Sequence, residues 1–147
     1  MKKRASGVAL LVGVLALVAC GGPVRVHSAQ RARAFGSGYN QIVPASDQNL
    51  LLIVTLREPA PEVWESIKTN GEGTYFTTGT EERIHPFQSI LDERNQMEPV
   101  KETHRRIMLV AAIPRDVFKF ELHVGDFPAR SFRVDTEIRD SIDPWTE

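Results

Sequence analysis

The chain has 147 residues, a formal net charge of -1, 41% hydrophobic and 25% charged residues, and a single cysteine. This length suits one domain with a sizeable core. The near-neutral charge lacks the basic footprint that nucleic-acid binding requires, and one cysteine excludes an internal disulfide framework.

The chain opens Met1-Lys2-Lys3-Arg4, and Gly7 to Ala19 is an apolar run without a charge. A basic start followed by a short hydrophobic stretch is the order of a secretory signal peptide, here residues 1–19. The run ends in Leu17-Val18-Ala19-Cys20. This resembles the lipobox of bacterial lipoproteins, in which an apolar residue and two small or apolar residues precede an obligatory cysteine. The resemblance implies cleavage between Ala19 and Cys20, attachment of a diacylglyceryl group to the Cys20 thiol, and acylation, as by palmitate, of the new N-terminus. One acyl chain holds a protein reversibly, whereas two or three hold it durably. In such proteins Asp after the cysteine commonly marks retention in the inner membrane; Gly21 stands there in this chain, which implies the outer membrane where the envelope has one.

The competing reading is an uncleaved transmembrane anchor, because Gly7 to Val24 is 18 residues without a charge, near the lower limit for a span. Against it, Gly21-Gly22-Pro23 is a poor helix end to bury in lipid. Removal of residues 1–19 takes away Lys2, Lys3 and Arg4 and moves the formal charge from -1 to -4.

Residues 20–34 read as lipid anchor and tether, with Arg25, Arg31 and Arg33 adding charge; Val24 and Val26 alternate with Arg25 and His27, which also allows a short first strand. Phe35 to Val43 reads as a strand interrupted by Gly36 and Gly38. Leu50 to Val54 is a continuous apolar run with β-branched members, bounded by Ser46-Asp47 and Pro59, the pattern of a central strand buried on both faces. Pro61 can open a turn or two of helix carrying Val63, Trp64 and Ile67 on one face. Tyr75–Thr78 and Glu82–Phe87 read as a strand pair around Thr78-Gly79-Thr80. Phe87, Ile90 and Leu91 have helical spacing over too short a stretch for helix to dominate.

Ile107 to Ile113 is a second continuous apolar strand, stopped by Pro114. Phe118, Phe120, Leu122 and Val124 alternate with Lys119, Glu121 and His123, a half-buried strand by its period of two. After the Gly125-Asp126 turn, Phe132, Val134, Thr136 and Ile138 alternate in the same way, which predicts an antiparallel hairpin. The whole predicts an all-β sandwich over residues 35–138, followed by a C-terminal tail, residues 139–147. Ser141, Asp143 and Pro144 disfavour regular structure there, and Trp145 either stands free as an anchor for a partner or folds back on the sandwich edge.

Three segments carry a family resemblance: Leu50 to Leu56; Tyr75-Phe76-Thr77-Thr78-Gly79-Thr80-Glu81-Glu82-Arg83-Ile84-His85-Pro86; and Leu109 to Pro114 followed by Phe118 to Asp126. Together they resemble the immunoglobulin-like domain of unknown function found after the lipobox of many bacterial lipoproteins. The resemblance implies an immunoglobulin-like antiparallel β-sandwich and supplies no catalytic residues. The family often has an aromatic residue two before the proline of the third segment, where this chain has Ala112. A thinner resemblance, through Leu109-Val110-Ala111-Ala112 and Arg115-Asp116, is to the outer-membrane lipoprotein of type VI secretion systems, which implies assembly with a large inner-membrane partner.

The residues show no catalytic constellation. His27, His85, His104 and His123 are far apart and form no ligand pair, so neither a metal nor another cofactor is expected. Gly36-Ser37-Gly38 lacks the strand, wider glycine spacing and helix of a hydrolase elbow, and reads as a turn. Glu81 and Glu82 are adjacent and would point to opposite faces of a strand. Lys101, His104, Arg105 and Arg106 form the densest basic patch, open to anionic headgroups or serving to guard an exposed edge. Trp145, Arg105 and Arg106 are the candidate partner-binding residues. The expectation is a non-enzymatic binding or structural module held to the envelope membrane through lipid at Cys20, with an envelope protein as partner and no nucleic acid. The alternatives are an envelope enzyme with an unrecognised site and a secretion-system assembly lipoprotein.

Overall fold

The computed structural model describes residues 22–95 and 103–144. The signal segment, Ala19, Cys20, Lys101 and Trp145 lie outside the described residues, as does the side chain of His104.

Eight strands and one α-helix are described: β1 (Ser28–Ala32), β2 (Asn49–Arg57), α1 (Pro61–Thr69), β3 (Thr74–Thr77), β4 (Gln88–Asn95), β5 (Thr103–Pro114), β6 (Lys119–Val124), β7 (Arg130–Arg133) and β8 (Ile138–Arg139). They form two sheets, one of order β4-β5-β2-β1-β8 and one of order β3-β6-β7. All pairings are antiparallel except β1 with β8. The fold is all-β and sandwich-like, as the alternation predicts.

The two continuous apolar runs lie side by side at the centre of the larger sheet, with Leu52 opposite Ala111 and Val54 opposite Leu109. Because side chains alternate across a strand, each run feeds two cores. Leu52, Val54, Leu56, Ile107, Leu109, Ala111 and Ile113 face the smaller sheet, where Phe76, Phe120, Leu122 and Val124 meet them. Leu51, Ile53, Met108 and Val110 face outward into a second cluster closed by Phe35 and Ile142. α1 caps the first core with Val63, Trp64 and Ile67, the face its spacing predicts.

Several boundaries differ from the sequence reading. Of the stretch read as tether, residues 22–34 are built into the domain: Val24 is fully buried in the main core, and β1 lies between β2 and β8. Phe35–Val43 is not a strand but a turn, with one bridge, Phe35 to Ile42, around a 3-10 segment at Gly38–Asn40. Gly36 and Gly38 both take positive φ, 92° and 61°, which turns the chain and favours glycine. The segment from Gln88 onward, with Ile90 and Leu91, is strand β4. An eight-residue helix there would be marginal, whereas the edge of β5 offers a ladder of eight register pairs, from Gln88–Val110 to Asn95–Thr103. The arm Glu82–Phe87 contributes only the bridge Phe76–Ile84; Pro86 has no N–H to extend a ladder.

The hairpin of β6 and β7 pairs Phe120 with Phe132, but its second arm ends at Arg133. Val134 is buried, and the chain then crosses to the other sheet, where Ile138 pairs with Arg31. The C-terminal stretch, for which the sequence allows a free tail or one folded back on the sandwich edge, is docked as far as Pro144. Ile142 N–H donates to Ala34, its carbonyl accepts from Gly36, and its side chain is buried in the second cluster; an apolar residue in reach of an uncovered sheet face is drawn onto it.

Candidate functional site

Arg105 and Arg106 sit where β5 begins, opposite Glu93 and Asp92 of β4. Arg105 Nε donates to Glu93 Oε2 at 2.8 Å and its guanidinium lies 4.9 Å from the Trp64 ring centre. Arg106 donates to Asp92 Oδ2 at 3.2 Å and to the Pro144 carbonyl at 2.7 Å. The Arg106–Asp92 pair is nearly buried, with side chains 12% and 13% exposed. These arginines are therefore committed to internal carboxylates, to Trp64 and to the C-terminal run. Arg105 stays partly exposed in its pair, 35% against 45% for Glu93.

The structure assembles a different surface, on the outer face of the smaller sheet. Tyr75 on β3 lies opposite His123 on β6, and Thr77 opposite Glu121. The Tyr75 and His123 rings stack with centres 4.6 Å apart and planes 9° apart. The Arg83 guanidinium lies 4.4 Å from the Tyr75 ring centre, and His85 approaches the same ring at 5.7 Å. Thr77 Oγ1 donates to Glu121 Oε1 at 3.3 Å and is 3.0 Å from His123 Nε2. With the proton on Nε2, the ring donates to Thr77, which donates onward to Glu121.

A hydroxyl, an imidazole and a carboxylate invite comparison with a nucleophilic triad. In a triad the acid orients the nitrogen remote from the hydroxyl. Here Glu121 Oε1 lies 3.8 Å from the same His123 Nε2 that meets Thr77, and the hydroxyl proton goes to the carboxylate. The three groups order one another and the sheet face.

Beyond them, where β6 begins, an open groove of about 480 Å³ is lined by Thr77, Thr78, Gly79, Lys119, Phe120, Glu121, Ser131, Phe132 and Arg133, so that its floor is aromatic and its rim polar. Lys119 and Arg133 are directly opposite in the β6–β7 register, and both are exposed. Like charges placed opposite on a sheet repel, and Glu121 is the carboxylate that lines the same groove. Among the described residues β7 is the outermost strand of its sheet, the position at which a strand can be added. The sequence marks Lys119, Glu121 and His123 as the polar side of a strand, but nothing in it places Arg133 beside Lys119 or Thr77 beside His123. Those neighbours follow from strand register.

Among the described residues, no three His, Cys, Asp or Glu side chains cluster to hold a metal ion, and no helix is long and apolar enough to cross a membrane. Comparison with protein-family models, with curated proteins and with solved structures finds no match for this chain.

Proposed function

We propose that this chain is a lipid-anchored, non-enzymatic binding module of the bacterial cell envelope, built on an immunoglobulin-like sandwich. The lipobox Leu17–Cys20 supports the anchor and export, with the outer membrane as destination where one exists. The strand orders support the fold: β1-β2-β5-β4 and β3-β6-β7 follow the A-B-E-D and C-F-G arrangement of the seven-stranded immunoglobulin sandwich, with β8 added beside β1.

The observation that carries the binding role is the opposed Lys119–Arg133 pair at the groove beside the outermost strand β7. Paired cations beside the outermost strand of a sheet suit an extended, acidic segment of an envelope protein. The segment would add its backbone to β7 and set carboxylates against the two cations. The partner class follows from that chemistry.

A photo-crosslinking residue at Ser131, in cells carrying the full chain, tests this. Adducts are expected from Ser131, lost in Lys119→Glu/Arg133→Glu, and absent from the same residue placed at Ala112, which is exposed on the other sheet. Equal adducts from both positions, or adducts indifferent to the charge reversal, would overturn the reading of this groove.

A further inference from the structure

We infer that the end of the sandwich formed by Gly22–Arg25, the Glu58–Ala60 connection and the 125–129 turn rests on the lipid headgroups, so that the domain is held in one orientation on the bilayer. This rests on the anchor at Cys20 proposed above, and the rest comes from how early the chain is tied down. Gly22 is two residues beyond Cys20. A Cβ on Gly22 would lie 3.5 Å from Pro128 Cγ, so its backbone is already against the β6–β7 turn. Val24 is fully buried in the main core, and His27 N–H donates to the Thr55 carbonyl at 2.8 Å.

Two residues span at most about 7 Å. The headgroup layer on each side of a bilayer is itself about 5–7 Å deep. A Cys20 sulfur held at the glycerol level thus places Gly22, and with it Pro128, within or directly upon the headgroups. A long flexible spacer would allow the domain to tumble; this chain has no length for one. Arg25, Glu58 and Asp126 are all exposed at this end, so the orientation follows from the short tether and not from charge.

The register fixes what lies opposite. Thr74 pairs with Val124 next to the membrane end, whereas Lys119 and Arg133 pair at the other end of β6. The groove therefore opens away from the bilayer, about 17 Å along the strand from that end. The anchored end and the binding end are opposite ends of the same sheet, and the lipid points the groove toward whatever lies beyond the membrane surface.

The test uses the full chain purified from bacterial membranes and reconstituted into vesicles of phosphatidylethanolamine and phosphatidylglycerol. Once alkylated, the Cys20 sulfur does not react with thiol labels, so single cysteines report alone. Asp126→Cys and Ala129→Cys probe the near end, and Asp47→Cys and Glu81→Cys the far end, each carrying a fluorophore. With a nitroxide quencher on the lipid headgroup, near-end labels should be quenched at least about threefold more than far-end labels, given the roughly 25 Å that separates the ends of β2. A 20-residue Gly-Ser insertion between Gly21 and Gly22 adds about 25 Å of reach and should bring near-end quenching down to the far-end level. A lipidated chain with equal quenching at both ends overturns the orientation and leaves the anchor standing. A mature chain whose N-terminal peptide carries no lipid mass on Cys20 overturns the anchor, and the orientation with it.

Discussion

Replacing Arg31 with Met keeps a long apolar stem on β1 but removes the guanidinium that ties this strand to two connecting loops. Its Nε donates to the Asp135 carbonyl at 3.2 Å, Nη1 to the Arg115 carbonyl at 2.9 Å and Nη2 to the Thr136 carbonyl at 2.6 Å. The guanidinium also lies 4.5 Å from the Phe118 ring centre. The side chain is 3% exposed. Burial, and secondarily the charge of Arg115, hold its pKa below the usual arginine value. Hydrogen bonds from a charged donor are worth about 1.5–3 kcal/mol each, but an ion buried without a carboxylate gives back several kcal/mol in lost hydration. The freed carbonyls belong to exposed residues and can take water. The expected net loss is about 2–4 kcal/mol, roughly 10 °C in Tm for a domain of this size. Urea and thermal unfolding of residues 22–147 measure it. Arg31→Lys keeps the charge but replaces the planar fork with a single point donor, so it should recover less than about half of the loss. A Met variant within about 0.5 kcal/mol of the parent, the range of an ordinary surface change, would refute the idea that this side chain fastens the crossover.

Phe120→Ala should cost about 3–5 kcal/mol in the same unfolding assay, because Phe120 is buried against Phe132 and its loss leaves a cavity between the sheets. The paired carboxylates of β4 should separate: Asp92→Ala, which strips Arg106 of a nearly buried partner, should cost about 2–3 kcal/mol, and Glu93→Ala, from an exposed pair, less than about 1 kcal/mol. Deleting residues 140–147 removes the buried Ile142 and should lower Tm by about 5–10 °C; an unchanged Tm would mean that the docked run contributes nothing. Cys20→Ser should leave a precursor of unchanged length that carries no lipid, read by mass.

The elements with strong local pattern were legible in the chain itself. Leu50–Val54 and Ile107–Ile113 were readable as strands buried on both faces because no polar residue interrupts them. The alternation around Phe120 was equally plain, and Pro61 with Val63, Trp64 and Ile67 announced the helix. Each of these depends on nearest neighbours along the sequence, which period and propensity report. Contacts between distant segments were beyond that reach. Ile90 and Leu91 read as weakly helical until the edge of β5 claimed them. Arg31 looked like charge on a tether and is instead a buried fastener 104 residues from Asp135 in sequence. Arg105 and Arg106 looked available and are spent on Glu93, Asp92 and the Pro144 carbonyl. Lys119 and Arg133 are separate polar positions in the sequence, and their proximity exists only once β6 and β7 adopt their register. Burial and pairing are properties of the packed sheets: a side chain's role is decided by what lies across the strand, and a one-residue change of register would bring a different neighbour there.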